Sequence, residues 1–207
     1  MRRLPRRGGR KRTRRRTGPA RRLLASLLLV AVLGGAGIVW LAARAEDKIG
    51  GPFTLENARG RIVTARDFRG HYMLVYFGYT HCPDICPVTL SAIAAALSSL
   101  GPKAERVIPV FITIDPARDT PSVMGRYVAR FSPRLVGLTG TASEIAKVAH
   151  EYHVYYARES AGSGTSGYAM EHSATMYLMG PNGRYLAPLA AGTPPGKLAL
   201  LLARLVS

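Results

Sequence analysis

An arginine-rich segment followed by a long apolar run divides the 207-residue chain and limits how it can fold. Residues 1–22 carry twelve Arg or Lys and no acid, and residues 23–43 carry no charge. In an α-helix this apolar run reaches roughly 31 Å, enough to cross the roughly 30 Å hydrocarbon core of a bilayer. The positive-inside rule keeps the basic flank in the cytoplasm. The sequence therefore predicts a basic cytoplasmic tail (1–22), a transmembrane anchor (23–43), a linker (44–51) and one exported domain (52–207).

The net charge of +17 comes mainly from the tail. Beyond residue 22, seventeen basic residues face twelve acidic ones, so we expect no nucleic-acid partner. A cleaved signal peptide is an alternative, because Ala43 and Ala45 form an A-x-A-like site. The apolar run is longer than the roughly 7 to 15 residues of a typical signal core, which favours an uncleaved anchor. We expect the domain outside a bacterial inner membrane, in the periplasm, or, as an alternative, in the mitochondrial intermembrane space.

Strand and helix patterns alternate along the exported part. A hairpin is predicted at 53–55 and 62–64, and a continuous apolar run at 72–77 is typical of a buried central strand. The remaining predicted elements are a helix at 87–100, a strand at 107–114, a helix from 121 to about 131, a strand at 135–138, a helix at 142–152, a hairpin at 173–179 and 184–189, and a helix at 195–205. Pro109 predicts an irregular or locally unpaired position in its strand. This order predicts an α/β fold with a mixed central sheet.

The chain has two cysteines, Cys82 and Cys86, which directly follow the predicted central strand. That position, at the entrance to a helix, is the thioredoxin-like active position, and a helix N-terminus favours a thiolate. The spacing is C-x-x-x-C rather than C-x-x-C, so on a helical turn both sulfurs would project from one face. The pair suits either a reversible disulfide or one soft metal ion. Two thiolates favour Cu(I), with Zn(II) or Fe–S as lesser possibilities, and an imidazole would complete a three-coordinate site.

His172 is the preferred third ligand among five histidines. It follows a Gly/Ser-rich stretch at 161–167, predicted to be a flexible loop, and precedes a predicted core strand. In a thioredoxin-like fold the start of that strand lies beside the cysteines, where thioredoxins have a cis-proline, and here a histidine stands instead. That favours a metal over disulfide exchange. The other histidines are predicted to be exposed or outside the ligand set, namely His71, His81, His150 and His153.

Three motifs resemble those of the Sco/SenC proteins. They are YFGYTHCPDICP at 76–87, IDPARDTP at 114–121, and EHS at 171–173 with YLM at 177–179 and Pro181. Glu171 stands where the family often has Asp. The resemblance implies a membrane-anchored thioredoxin-fold protein that binds copper through Cys82, Cys86 and His172. It also implies that the protein delivers copper to, or keeps reduced, the binuclear CuA centre of cytochrome c oxidase subunit II, with another copper chaperone as a possible donor.

The leading functional hypothesis is therefore a copper metallochaperone rather than an enzyme, carrying Cu(I) and in a second state Cu(II). The alternative is a thiol–disulfide reductase in which Cys82 and Cys86 form a redox-active disulfide. A thiol peroxidase is disfavoured because Tyr79 stands where peroxiredoxins have Thr. The roles of Asp84 and of the motif at 114–121 stay open, although Arg118 is expected to pair with an acid of that motif.

Overall fold

The computed structural model describes residues 48–160 and 167–206. The predicted tail and anchor, residues 44–47 of the linker, and residues 161–166 of the Gly/Ser-rich stretch lie outside these residues. No helix in the described part of the chain combines the length and apolar character needed to span a bilayer. The predicted anchor at 23–43 therefore stays a prediction.

The nine strands of the described chain are β1 (Thr54–Asn57), β2 (Ile62–Thr64), β3 (Tyr72–Gly78), β4 (Val107–Thr113), β5 (Val136–Thr139), β6 (Tyr156–Ser160), β7 (Tyr168–His172), β8 (Thr175–Met179) and β9 (Tyr185–Ala190). Seven of them form a mixed central sheet in the order β2-β1-β5-β4-β3-β8-β9. Strands β3, β4 and β5 are parallel, whereas β1 runs antiparallel to β5 and β8 antiparallel to β3. The mixed sheet predicted from the sequence is confirmed.

Four α-helices accompany the strands at positions close to those predicted. They are α1 (Ile85–Ser99), α2 (Pro121–Ala129), α3 (Ala142–Glu151) and α4 (Pro195–Leu205), with short 3₁₀ helices at Ala65–Phe68 and Gly101–Arg106. Each α-helix places apolar side chains in the core, including Ile93 of α1, Met124 of α2, Ile145 of α3 and Leu198 of α4.

The core centres on β3 and β4, the two middle strands. All seven residues of β3 are buried, which explains why its sequence is continuously apolar rather than alternating. Pro109 keeps its place in the β3–β4 ladder opposite Leu74, but β5 pairs with β4 only from Val110 to Ile112. The proline therefore lies where β4 has no β5 partner, which is the locally unpaired position that was predicted.

A second, two-stranded sheet was not predicted. Strands β6 and β7 pair antiparallel, with Tyr156 opposite His172 and Ser160 opposite Tyr168. The described end of the Gly/Ser-rich stretch leads directly into β7, and His172 is the last residue of that strand. The hairpin therefore determines where the candidate ligand lies.

Candidate metal centre

The two cysteines lie between the end of β3 and the first turn of α1. Cys86 is the second residue of α1 and is completely buried, whereas Cys82 precedes the helix and is 8% exposed. The backbone N–H of Cys86 donates to the Cys82 sulfur at 3.4 Å. The expectation that both sulfurs project from one helical turn is therefore wrong in detail. Cys82 stands outside the helix and accepts one of its free N–H groups, as helix-capping side chains do.

Gly78, the last residue of β3, makes room for the Cys86 sulfur. A β-carbon built at this position would lie 2.6 Å from Cys86 Sγ and 2.8 Å from Phe111 Cε2. Real β-carbons do not approach other atoms so closely, and a buried ring and sulfur have little freedom to move. The Tyr76 hydroxyl donates to the same sulfur at 3.7 Å. The strand therefore fixes the position of Cys86.

His172 reaches the cysteines from the end of β7. Its Nε2 lies 3.7 Å from Cys86 Sγ, and its Nδ1 donates to the Ser173 carbonyl oxygen at 3.1 Å. The imidazole also packs against the rings of Tyr76 and Tyr79, each at a centroid distance of 6.2 Å. With Nδ1 engaged by the carbonyl, the lone pair of Nε2 faces the sulfurs, which is the arrangement common among metal-binding histidines.

The three predicted residues come together as one group. Their ligand atoms, two Sγ and one imidazole nitrogen, all lie within 4.8 Å of one another. Both cysteines are free thiols. No other group of three or more Cys, His, Asp or Glu within residues 48–160 and 167–206 could hold a metal ion. The donor set is soft and three-coordinate, so it fits a thiophilic ion better than a hard one.

The environment divides the pair into a thiolate and a thiol. The pKa of Cys82 is lowered to about 4, first by a hydrogen bond from the Cys86 thiol and then by hydrogen bonds from the backbone N–H groups of Cys86 and Asp84. The pKa of Cys86 is raised by its hydrogen bond to the Cys82 sulfur and by burial. The thiolate predicted at the helix N-terminus is therefore favoured at Cys82 over Cys86. A neutral Cys86 can donate its proton to Cys82.

Asp119 fixes the turn that leads to Cys82. Its carboxylate is wholly buried and accepts from the Thr80 N–H at 3.0 Å, the Thr80 hydroxyl at 2.6 Å and the Thr113 hydroxyl at 2.7 Å. The second motif therefore stabilises the first, although the two are far apart in the chain. Sequence reasoning left this role open because nothing local to Asp119 indicates its partner.

Asp115 connects the same motif to β7. Its carboxylate forms an ion pair with Arg118, which was predicted to pair with an acid of this motif. It also accepts a hydrogen bond from the Tyr168 hydroxyl at 2.7 Å. Arg118 donates to the Tyr168 carbonyl at 3.0 Å and lies 3.7 Å from the centre of its ring. Arg158 lies at the same distance from that ring. This contact set, which we call the Tyr168 clamp, fastens the start of the strand that ends at His172. The sequence contained no signal for it.

The remaining candidates lie outside the three-residue group. The His81 side chain is 55% exposed, and its Nδ1 lies 3.9 Å from Asp119 Oδ1. Asp84 immediately precedes α1 and is exposed, without a side-chain capping bond to the helix. The other exposed histidines are His71, His150 and His153.

Fold and site together define a thioredoxin-like protein with a Cys-Cys-His group that could hold a metal ion. Residues 42–207 match the model of the SCO1/SenC family. The chain belongs to this family. It is 44% identical over 184 residues to the Bos taurus Protein SCO2 homolog, mitochondrial, covering 79% of this chain and 67% of that protein.

Solved structures agree with this assignment. The structure of Bradyrhizobium japonicum ScoI with copper bound is 42% identical, with a TM-score of 0.69, and the match covers 76% of this chain and 99% of that one. BsSco, described as a member of the Sco family of cytochrome c oxidase assembly proteins with a disulfide switch, is 24% identical with a TM-score of 0.57. The match covers 78% of this chain and 96% of BsSco, and at that identity it supports the fold alone.

Proposed function

We propose that this protein is a copper metallochaperone that delivers copper to the CuA centre of cytochrome c oxidase subunit II. The observation that carries the proposal is the convergence of the Cys82, Cys86 and His172 donor atoms within 4.8 Å. Two sulfurs and one imidazole suit Cu(I), and a shift to Cu(II) is compatible with the same nitrogen ligand. Membership of the SCO1/SenC family and the copper-bound ScoI relative support copper as the cargo, and the resemblance of the three sequence motifs to the Sco/SenC proteins supports the recipient.

Release is proposed to proceed by ligand exchange. Cys82 and His172 are partly accessible, whereas Cys86 is completely buried. An incoming thiolate of the recipient therefore replaces His172 or Cys82 before it replaces Cys86. The imidazole is the weaker ligand for a soft ion and is the first to leave. The bond from its Nδ1 to Ser173 keeps the ring oriented for rebinding after the copper has gone.

The proposed location follows from the apolar run. An anchor at 23–43 would hold the domain beside the oxidase on the outer face of a bacterial inner membrane. The mitochondrial inner membrane, with the domain in the intermembrane space, is the alternative location. Another copper chaperone is the proposed donor, because free Cu(I) would not remain available in an oxidising compartment.

A transfer experiment tests the proposed delivery. The full chain, purified in mild detergent and loaded with one Cu(I), is mixed anaerobically with the soluble, reduced CuA-bearing domain of subunit II, and copper is measured in each after separation. We expect copper to move to the recipient faster than from an equal concentration of Cu(I)–glutathione. A rate no faster than from Cu(I)–glutathione would contradict delivery by this protein.

The second candidate function is reduction of the recipient's cysteines, favoured by the low pKa of Cys82. The Cys82 thiolate would attack a disulfide of subunit II and form a mixed disulfide, with one recipient sulfur leaving as a thiolate. Cys86, after losing its proton, would attack Cys82 and release the second recipient sulfur. Two electrons would pass to the recipient, whose two sulfurs would take one proton from Cys86 and one from water, and this protein would keep a Cys82–Cys86 disulfide.

His172 separates the two functions. Reduction needs only the two sulfurs, so a His172→Ala variant should still reduce an oxidised subunit II domain, measured by thiol counting. Copper delivery needs the imidazole, so the same variant should fail in the transfer experiment. A His172→Ala variant that delivers copper at the wild-type rate would contradict the assignment of His172 as a copper ligand, whereas a wild type that reduces the domain but fails in the transfer experiment would leave reduction as the better candidate.

A further inference from the structure

A second site adjoins the turn that leads to Cys82. That turn and one face of α2 enclose a cavity of about 400 Å³. Its lining residues are Thr80, His81, Val123, Arg126, Tyr127 and Arg130. None of the three metal-ligand candidates is among them. The cavity is therefore separate from the Cys-Cys-His group, although two of its residues directly precede Cys82.

The cavity carries two guanidinium groups with no acidic partner. Arg126 and Arg130 are exposed, and the ion pairs within the described residues join other side chains, His81 with Asp119 and Arg118 with Asp115. Arg130 lies 4.7 Å from the centre of the Tyr127 ring, which holds its guanidinium at the cavity. Two positive charges therefore stand in the lining without an acidic partner among the described residues.

Tyr127 adds a buried donor that has no partner. The residue is only 5% exposed, and among the described residues nothing hydrogen-bonds to its hydroxyl. A buried hydroxyl left without a hydrogen-bond partner costs stability. Burial is the first cause that raises the pKa of Tyr127. The hydroxyl is therefore a neutral donor rather than an anion that would repel an acidic ligand.

The carboxylate of Asp119, which lies 3.9 Å from the lining residue His81, is not exposed to a ligand in the cavity. Asp119 is wholly buried behind the turn, and its oxygens accept from Thr80 and Thr113. What the cavity offers to an incoming group is two guanidinium forks, both hydrogen-bond donors. Such a set fits an oxyanion, and a carboxylate matches the guanidinium fork geometrically.

We propose that this cavity binds the carboxylate side chain of an Asp or Glu on the protein that exchanges ligands with Cys82. This assignment of the occupant rests on the proposed function, since it requires a protein partner at the cysteines. A carboxylate held here would place the partner beside the more accessible sulfur of the pair. Charge complementarity of this kind directs encounter and fixes orientation more than it adds raw affinity.

Alkylation of Cys82 tests the anion site without copper or a partner. The reduced full chain in detergent is treated with iodoacetate, which carries a carboxylate, and with neutral iodoacetamide, and modification of Cys82 is followed by peptide mass. Because both reagents attack the same thiolate, their rate ratio removes any change in thiol reactivity. The double variant Arg126→Gln/Arg130→Gln should lower the iodoacetate-to-iodoacetamide ratio by roughly tenfold, the lower end of electrostatic steering effects.

The matched control removes two positive charges elsewhere. Lys197 and Arg204 are exposed on α4, and Lys197→Gln/Arg204→Gln should leave the ratio unchanged. An equal fall of the iodoacetate-to-iodoacetamide ratio in both double variants would mean that the net charge of the protein alone causes the effect. That result would overturn the proposed anion site. An unchanged ratio in Arg126→Gln/Arg130→Gln would also overturn it, whatever the function of the protein.

A second measurement tests the occupant. Association of the reduced, copper-free chain with the soluble subunit II domain is measured by calorimetry at low and at high salt. We expect the Arg126→Gln/Arg130→Gln variant to bind at least about tenfold more weakly at low salt, with the difference lost at high salt. Unchanged association, together with a lowered alkylation ratio, would leave a site for small free anions and overturn the docking assignment. Failure of copper transfer in the wild type would affect the proposed function but not the alkylation result.

Discussion

The hydroxyl of Tyr168 donates a 2.7 Å hydrogen bond to the buried carboxylate of Asp115, joining the start of β7 to the loop after β4. His172 lies at the other end of the same strand. Tyr168 contributes no atom to the Cys-Cys-His group. Its contact with Asp115 nevertheless helps to position the strand that ends at His172, a candidate ligand. Loss of a residue that supports a metal ligand typically weakens metal affinity by about 10- to 100-fold.

Tyr168→Phe should weaken copper binding while leaving all three ligands in place. Loss of a hydrogen bond to a charged group costs about 1.5 to 3 kcal/mol, and we expect a similar loss in the free energy of unfolding. The Cu(I) dissociation constant should rise about 10-fold, the lower end of the effect of supporting residues. Competition with a chromogenic Cu(I) chelator measures it. The control is Tyr155→Phe, since Tyr155 is 59% exposed, and equal affinities in both variants would contradict the role of the Tyr168 clamp.

Gly78→Ala should disturb Cys86 directly. The added methyl group would lie 2.6 Å from the sulfur, and overpacking of a buried site typically costs about 1 to 3 kcal/mol of stability. We expect lower thermal stability and weaker Cu(I) binding, measured by calorimetry and chelator competition. Gly196→Ala is the control, because a β-carbon there meets no atom within 4 Å. A Gly78→Ala protein as stable as Gly196→Ala would show that the strand does not constrain the sulfur.

Asp119→Asn should loosen the turn before Cys82. The substitution keeps the shape but places an amide NH₂ against the donors of Thr80 and Thr113, so we expect a loss of about 1.5 to 3 kcal/mol in the free energy of unfolding. Hydrogen exchange of the Thr80 amide should accelerate, because its acceptor is weakened. Asp84→Asn serves as the control at an exposed acid beside the same cysteines. Unchanged exchange at Thr80 would refute the anchoring role.

The pH dependence follows from the lowered pKa of Cys82, about 4 in the folded chain. The ordinary thiol pKa is about 8.5, so between these values the unfolded chain binds more protons. The contribution of Cys82 to stability is therefore complete above about pH 8.5 and is lost as the pH falls toward about 4. In the copper-free protein, the Cys82 alkylation rate should be level from about pH 5 to 8 and fall below about pH 4.

Two comparisons check this pH profile. The difference in unfolding free energy between wild type and Cys82→Ser should grow as the pH rises. In Cys86→Ser the hydrogen bond that contributes most to the lowered pKa is altered, so the alkylation profile should shift to higher pH. A wild-type rate that keeps increasing from pH 7 to 9 would contradict a Cys82 thiolate at neutral pH.

The elements that local pattern determines were predicted well. Strand β3 was predicted because burial on both sides leaves a continuous apolar run, and α4 begins and ends at the predicted residues. The start of α1 was placed at Pro87, yet the helix begins at Ile85. A proline in the first turn of a helix is tolerated, since the N–H it lacks would have no partner there.

What the sequence did not predict depends on contacts between distant segments. Strands β6 and β7 are mostly half-buried or exposed and pair only with each other, so neither has the apolar pattern of a core strand. Tyr168 reaches Asp115 across 53 residues of chain, and Asp119 reaches Thr80 across 39. The ligand set of Cys82, Cys86 and His172 was predicted as a group, whereas the side chains that hold it were not.

Anaerobic titration of the reduced full chain with Cu(I), followed by X-ray absorption, tests the proposed copper centre most directly. The measurement is repeated on His172→Ala and on a control, His153→Ala, whose imidazole is exposed and outside the metal-binding group. We predict one copper per chain bound by two sulfurs and one nitrogen in wild type and control. In His172→Ala the nitrogen is lost and affinity falls by more than the roughly 10- to 100-fold typical of supporting residues. Wild-type affinity and an unchanged nitrogen signal in His172→Ala would contradict the proposed copper centre.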